Sequence, residues 1–234
     1  MHRYFTPLLL AASLLPVTSQ ARECLPGYQD DHNRFVSEQV DSAEGKLNVV
    51  NDRATGLQWL YCPYGQHISG DGSGCEGMPA VINGNASPTD NPLMVIIRLA
   101  NDQLDTPTHP WRAPDIKELF TLYNHQCQPA TYSALGFPEP QLAADTAALA
   151  LQECEDRYDP VTYEYIKPTK ERTQACDRLT EQSNALTRLQ FISDSTVGDA
   201  YSHLQFEPSQ GVFDAGGYSA PMLRLVRPTP NHGE

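Results

Sequence analysis

The stretch WRAPDIKEL, residues 111–119, places a Trp-Arg pair, a proline and an acidic residue just before an apolar repeat. Asp115 and Glu118 are three residues apart, which is the spacing of a helix N-cap and the glutamate of a capping box. The apolar residues recur at i, i+3, i+4 and i+7, and these are Ile116, Leu119, Phe120 and Tyr123. The stretch therefore predicts the capped start of an amphipathic helix.

The charged and aromatic residues of this stretch are expected to serve the framework. Lys117 and Glu118 are adjacent, so their side chains diverge on a helix and do not form an acid/base pair. Trp111 is expected to be a buried indole beside the core. The Arg112 guanidinium is expected to bond nearby carbonyls.

A second helix is predicted upstream, in NPLMVIIRLANDQL, residues 91–104, with Pro92 at its start. Its core-facing residues follow helical spacing, and they are Leu93, Ile96, Ile97, Ala100 and Leu104. Alternation in GKLNVVNDRATGLQWLYC, residues 45–62, predicts two strands around a turn. Further strands are predicted near the other end, in LQFIS, AYSHLQF, GVFDAGG and APMLRLVR. The order strand, helix, helix, strands is typical of an α+β fold.

Residues 1–21 have the pattern of a secretory signal peptide. His2 and Arg3 precede an apolar run from Phe5 to Val17, and small residues surround a cleavage point after Ala21. We therefore expect a secreted protein, either periplasmic, at the cell surface or extracellular. No later segment is apolar enough to span a membrane, and residues 22–230 are expected to form a single domain.

The charge balance is strongly acidic. The sequence has 16 Lys+Arg against 29 Asp+Glu, and without Arg3 the count is 15 against 29, a net charge of −14. Such a surface repels nucleic acid and anionic lipid, so neither is expected as a partner.

Six cysteines lie outside the predicted signal peptide. An even number in an exported chain predicts three disulfides, with fifteen connectivities open. No Cys-x-x-Cys pair is present, which disfavours a zinc site. Cys62 and Cys75 flank a glycine-rich loop that a local disulfide would close. Cys154 and Cys176 likewise bracket a Pro- and Tyr-bearing loop.

Residues 141–185 differ in composition from their surroundings, and we interpret them as an insertion with helix-prone segments. Its candidate ligand-binding residues are Tyr158, Tyr163 and Tyr165, because rigid, amphipathic tyrosines are common on binding surfaces. The alternative is that these rings cover the helices of the insertion.

A second set of candidate ligand-binding residues provides oxygen atoms in one loop, namely Asp194, Ser195 and Asp199. These residue types also form turns through hydrogen bonds to nearby backbone. No nucleophile or metal-binding motif accompanies them. We therefore expect no catalytic residue, no metal and no cofactor, and hence no enzyme.

Several segments in order resemble the landmarks of the Lcl C-terminal domain family. They are VVNDRATGLQWLYCPYGQ (49–66), WRAPDIKELFTLYNHQC (111–127), FPEP (137–140) and MLRLVR (222–227). The likeness runs from about residue 24 to residue 227, interrupted by the insertion. Where the family has WSS, this chain has FISDST.

The resemblance implies a C-type-lectin-like fold, with two helices packed on a twisted, mainly antiparallel sheet. It also implies the disulfides Cys24–Cys127 and Cys62–Cys75, which leaves Cys154 to pair with Cys176. These are expectations from the family, whereas the residues alone leave the connectivity open.

Two functions remain as hypotheses. The first is an exported, adhesin-like recognition module that binds a glycan or a protein at the cell surface through its loops and the insertion. The alternative is a structural or accessory subunit of a surface filament or pilus-like assembly, either as a homo-oligomer or as a filament subunit. A binding module needs a concave or tyrosine-lined surface, whereas a subunit needs a broad apolar face.

Overall fold

The computed structural model describes residues 23–28, 33–43, 45–70, 72, 74–82, 91–104, 109–128, 130–136, 174, 176–177, 179–180, 182, 190–196, 203–207, 212–214 and 221–230. The predicted signal peptide and most of the 141–185 insertion lie outside these residues. Among the described helices, none is long and apolar enough to cross a membrane.

The described chain is α+β, with antiparallel sheets and few helices. The elements in chain order are β1 (Glu23–Cys24), β2 (Phe35–Ser42), β3 (Gly45–Asp52), β4 (Leu57–Leu60), β5 (His67–Ile68), β6 (Cys75–Glu76), α1 (Pro92–Leu104), α2 (Ile116–Phe120), β7 (Cys127–Gln128), β8 (Phe191–Thr196), β9 (His203–Glu207), β10 (Val212–Asp214) and β11 (Val226–Pro228). The largest described sheet has the order β11-β4-β3-β2, and a three-stranded sheet has the order β10-β9-β8. The pairs β1-β7 and β5-β6 are short two-stranded sheets.

The four-stranded sheet lies between two apolar layers. Successive strand residues face opposite sides, so Val50 and Trp59 join one layer whereas Val49 and Leu60 join the other. The first layer includes Leu119 and Leu122 of the α2 region with Phe191 and Phe206 of the three-stranded sheet. The second includes Leu93, Ala100 and Leu104 of α1. Every residue of β4 is buried, because both faces of this strand are covered.

The turn between β3 and β4 is organised by the buried carboxylate of Asp52. The carboxylate accepts from the Ala54 N–H at 3.0 Å, and the backbone carbonyl of Asp52 accepts from the N–H groups of Thr55 and Gly56. Arg34 donates to both carboxylate oxygens at 2.8 and 2.7 Å and also to the Thr121 carbonyl at 3.0 Å. This guanidinium therefore links the β3–β4 turn to the residue that ends α2, and bidentate geometry makes the link specific.

The helix predictions are confirmed for α1 and corrected for α2. Leu93, Ala100 and Leu104 of α1 are buried, as the spacing predicts. The second helix has five residues and ends before Tyr123. Phe120 is 52% exposed, so the prediction of one continuous apolar face is wrong at this position. Phe120 stacks instead on Tyr123, with 5.8 Å between ring centroids.

The edge strand β2 is absent from the sequence predictions, and its composition explains why. Ser37, Glu38 and Gln39 are exposed in its middle, so the strand lacks the apolar alternation that marks a half-buried strand. The predicted strands of the C-terminal region are present, although APMLRLVR forms a regular strand only from Val226 onward.

The disulfides Cys24–Cys127 and Cys62–Cys75 are formed, which confirms the two pairings expected from the family. Cys176 is also disulfide-bonded. Its expected partner, Cys154, lies outside the described residues.

A row of hydrogen-bonded polar side chains crosses all four strands of the largest sheet. Arg227 Nε donates to Gln58 Oε1 at 2.7 Å, and Gln58 Nε2 donates to Asn51 Oδ1 at 2.8 Å. Asn51 Nδ2 then donates to Glu38 Oε2 at 2.7 Å. Guanidinium only donates and carboxylate only accepts, so the two ends fix the orientation of both amides between them. The three hydrogen bonds of this row form together in only one register of the four strands.

We predict that Gln58→Met lowers the free energy of unfolding by about 2–3 kcal/mol, because it leaves the buried Arg227 Nε without its acceptor and removes the hydrogen bond to half-buried Asn51 Oδ1. Urea unfolding measures the change. The matched control is Gln39→Met, which removes an exposed bond to Asn48 on the same sheet and is expected to cost less than about 0.5 kcal/mol. Equal losses in the two variants would contradict a special role for the buried row.

Candidate functional site

The start of α2 confirms the capping box predicted from WRAPDIKEL. The Asp115 carboxylate accepts from the Glu118 N–H at 2.7 Å, and the Glu118 carboxylate accepts from the Asp115 N–H at 2.8 Å. The two residues thus satisfy backbone donors that a helix start leaves open.

Arg112 and Trp111 hold this helix start against the largest sheet. The guanidinium of Arg112 donates to both Glu118 oxygens, at 2.7 and 2.6 Å, and to the Ala113 carbonyl at 3.0 Å. The hydrogen bond with Glu118 is the largest cause of the raised pKa of Arg112. Trp111 is buried, with the Arg227 guanidinium 4.4 Å from its ring centroid. Both residues have the framework role expected, and the carboxylate of Glu118 is an additional partner of Arg112.

Two of the candidate ligand-binding residues lie beside this capped helix. The Ser195 hydroxyl accepts from the Ile116 N–H at 3.0 Å, and the Asp194 N–H donates to the Pro114 carbonyl at 2.9 Å. These contacts join β8 to the first turn of α2. The other four candidates, Tyr158, Tyr163, Tyr165 and Asp199, lie outside the described residues.

Arg224 is a buried cation between the largest sheet and the segment 130–136. Its guanidinium donates to the carbonyls of Leu60 at 3.1 Å, Tyr61 at 2.6 Å and Gly136. Its Cζ lies 5.3 Å from the centroid of the Phe191 ring. Burial lowers the pKa of Arg224 to about 9. The three carbonyls still require a donor, so this side chain holds three segments together.

A cavity of about 540 Å³ is lined in part by Leu60 and Tyr61, and we call it the 61–68 groove. Three parts of the chain line it: the start of β3, the segment from the end of β4 to β5, and the end of α1. The described lining residues are Lys46, Leu47, Asn48, Leu60, Tyr61, Cys62, Tyr64, Gly65, Gln66, His67, Ile68, Gln103 and Leu104. None of these described residues is Asp or Glu.

The polar groups of the 61–68 groove are held in place by neighbours. The Tyr64 hydroxyl donates to Gln103, which joins the loop to the end of α1. Gln66 Nε2 donates to the Gly77 carbonyl at 2.8 Å. Gln66 Oε1 is buried without a hydrogen-bond partner among the described residues. Buried acceptors are normally paired, so this oxygen is open to an ordered water or to a ligand.

A lysine and a histidine of the groove each have an acidic neighbour. Lys46 is paired with Asp41 on β2, and His67 Nε2 lies 3.1 Å from Glu76 on β6. Neither of these two acidic residues belongs to the described lining.

The loop that shapes the groove is fixed covalently and by backbone contacts. The Cys62–Cys75 disulfide ties it to β6. The Tyr64 N–H donates to the Leu223 carbonyl at 2.8 Å, and the Tyr64 carbonyl accepts from Ala80 at 2.8 Å. Gly65 has φ +92°, and a Cβ there would lie 2.7 Å from the Ala80 nitrogen. Glycine is required at this position because both the conformation and the close approach exclude a side chain.

Comparison with protein-family models, with curated proteins and with solved structures finds no match to this chain. In the described part of the chain, no group of three or more His, Cys, Asp or Glu residues is placed to hold a metal ion.

The 61–68 groove is absent from the sequence predictions. The segment YCPYGQHI carries two tyrosines, a glutamine and a histidine within eight residues, which is the signal that was available. Its partners Lys46, Asn48 and Gln103 are distant in sequence, so the concave shape follows from the fold and not from a local pattern.

We predict that Ser195→Ala lowers the free energy of unfolding by about 1 kcal/mol, because it removes an acceptor for a first-turn N–H of α2. Thermal unfolding measures the change. Lys117→Ala, on an exposed position of the same helix, serves as the control and is expected to have an effect within about 0.5 kcal/mol. An unchanged stability of Ser195→Ala would argue that its hydroxyl is free for a ligand.

We predict that Arg224→Lys lowers the free energy of unfolding by about 3 kcal/mol. One ammonium group does not reach three carbonyls held by a planar guanidinium, and each buried acceptor left unpaired costs about 1–3 kcal/mol. The same substitution at exposed Arg98 on α1 is the control and is expected to be close to neutral. Denaturant unfolding of the two variants measures the difference, and equal stabilities would contradict the role given to Arg224.

Proposed function

We propose that this protein is an exported recognition module that binds a neutral saccharide in the 61–68 groove. The observation that carries the proposal is the groove itself, a concave surface of about 540 Å³ lined by Tyr61, Tyr64 and amide side chains. Its volume is within the range of about 300–1,000 Å³ that is common for sites of small ligands.

The lining offers the two kinds of contact that a sugar ring needs. Tyrosine rings provide flat, rigid apolar area for the C–H faces of a pyranose, and their hydroxyls add a polar group. Asn48, Gln66 and Gln103 provide amide donors and acceptors, and each amide matches adjacent sugar hydroxyls because it both donates and accepts.

Charge favours a neutral ligand. Lys46 is already paired with Asp41, so a ligand anion competes with an existing carboxylate for this cation. The formal net charge of the chain is −13, which further repels polyanions. A ligand cation finds no carboxylate among the described lining residues.

In this proposal the chain is a C-type-lectin-like domain of the Lcl C-terminal family, and residues 1–21 are the signal peptide through which it is exported. The antiparallel sheets with two helices and the two disulfides are consistent with that family. The tyrosines of the insertion remain a predicted second contact. Near the end of the insertion, Gln182 donates to the Pro79 carbonyl at 2.9 Å, two residues beyond Gly77, which holds Gln66.

The second candidate is a subunit of a surface assembly, and α1 carries the observation that favours it. Met94, Val95 and Leu99 are 59%, 37% and 52% exposed on one side of this helix. A stable interface covers about 800 Å² on each partner. Three side chains cover a small part of that area, so we rank this candidate below saccharide recognition.

We expect the chain to bind neutral glycans on an array, and Tyr64→Ala combined with Gln103→Ala to weaken that binding at least tenfold. The reason is that this pair shapes one wall of the groove. Fluorescence titration with an array hit gives the Kd. Gln126→Ala, at a glutamine outside the groove lining, is the matched control and is expected to leave the Kd unchanged.

The insertion is tested in parallel with Tyr158→Ala, Tyr163→Ala and Tyr165→Ala in one variant. Loss of binding in this variant, with normal binding by the groove variant, moves the site to the insertion and contradicts the proposal. Absence of glycan binding, together with self-association in analytical ultracentrifugation, favours the assembly subunit.

A further inference from the structure

The strand β2 lies at one edge of the largest sheet, with β3 as its neighbour. An edge strand presents one row of backbone N–H and C=O groups away from the sheet. Proteins use such rows to bind extended peptides, which add as a further strand.

The register shows which residues of β2 face outward. The Arg53 N–H donates to the Arg34 carbonyl at 2.8 Å, and this pair continues the β2–β3 register in which Phe35 is opposite Asp52. Bonded pairs alternate in an antiparallel ladder, so even-numbered residues of β2 bond to β3. The backbone groups of Ser37, Gln39 and Asp41 therefore face away from the sheet.

The β3–β4 ladder supports this assignment independently. The Tyr61 N–H donates to the Asn48 carbonyl at 3.1 Å, so even-numbered residues of β3 bond to β4 and odd-numbered residues bond to β2. Because Gln39 is opposite Asn48, its backbone groups do not bond to β3.

The outward row is open over five residues. Ser37, Gln39 and Asp41 are exposed, and no hydrogen bond to their backbone groups is found in the described part of the chain. Beyond Ser42 the edge closes, because the Ala43 N–H donates to the carbonyl of Leu104 in α1 at 3.4 Å. Before Ser37 the edge is covered at Phe35, a residue that is only 7% exposed.

We propose that the Ser37–Asp41 edge of β2 binds an extended, basic peptide segment of a partner protein as a fifth strand of the sheet. Charge selects this occupant. The Asp41 side chain is 87% exposed, Glu38 is also exposed, and the whole chain has a formal net charge of −13. A second copy of the chain brings the same acidic edge and the same net charge, so it is repelled.

The carboxylates retain capacity for the partner. Glu38 accepts one described side-chain bond, from Asn51, and Asp41 accepts one, from Lys46. A carboxylate has about four acceptor positions. Glu38 and Asp41 face opposite sides of the sheet, so basic side chains on both faces of an added strand reach the two groups while its backbone pairs with Ser37, Gln39 and Asp41.

The test uses the full chain and a fluorescent peptide in which Lys-Lys and Val-Val pairs alternate, so that lysines lie on both faces of the added strand. We expect anisotropy to show binding, and NMR to show larger amide shifts at Ser37, Gln39 and Asp41 than at Glu38 and Val40. Two N-methylated peptides provide the chemical control, each methylated on one alternate set of backbone amides. The set that bonds to the edge is expected to weaken binding at least tenfold, whereas the other set binds normally.

On the protein side, Gln39→Pro removes an outward N–H and is expected to weaken peptide binding at least tenfold with an unchanged circular dichroism spectrum, because proline is tolerated on the free side of an edge strand. If this variant does not fold, the methylated peptides still test whether the peptide backbone bonds to the edge of β2. Equal binding of all three peptides shows attraction by charge alone and overturns the proposal. Dimerisation through β2, detected by sedimentation and abolished by Gln39→Pro, also overturns it.

Discussion

The guanidinium of Arg224 imposes the constraint on which the rest of the fold depends. A buried cation needs acceptors inside the protein, and the two terminal nitrogens of this guanidinium bond to carbonyls of Leu60, Tyr61 and Gly136. The first two carbonyls belong to the region where β4 ends, and the third comes from a segment 75 residues later in the chain than Tyr61. The C-terminal segment therefore joins the sheet at one place, which sets the position of β11.

Arg227 completes this constraint from three residues further along. It starts the polar row that ends at Glu38, so the same segment fixes the register of β11, β4, β3 and β2. Burial lowers the pKa of Arg227, and the charge of Glu38 acts in the opposite direction. Arg224 thus sets where β11 lies, and Arg227 sets its register. The apolar residues between them, Leu225 and Val226, enter the two layers on opposite faces of the sheet.

The features that were predictable from sequence are those decided by near neighbours in the chain. The capping box needs two residues three apart, and α1 needs one apolar face. The resemblance to a known family supplied Cys24–Cys127, which no local pattern gives. The strand β2 escaped prediction because its side chains are mostly polar and its order comes from pairing with β3. The polar row and the 61–68 groove were not predicted because each joins residues that are far apart in sequence. The pairing and register of distant strands cannot be inferred from the periodicity of a short segment.

The candidate ligand residues illustrate the same limit. A loop with Asp194 and Ser195 is ambiguous in sequence, since the same oxygens serve ligands and turns. The structure places the Ser195 hydroxyl on a helix-start N–H, a contact that requires the 114–116 segment to lie beside β8. The groove residues that the fold does bring together carry no motif of their own.

The Cys24–Cys127 bond also determines how the domain responds to tension. It closes a covalent ring with a sequence separation of 103, and the ring contains β2 to β4, α1, α2 and the whole groove. A pull applied at Glu23 passes through the sulfur bridge to Gln128 and bypasses everything inside the ring. The groove residues therefore lie outside the covalent path of the force, which acts on the segments that follow Gln128.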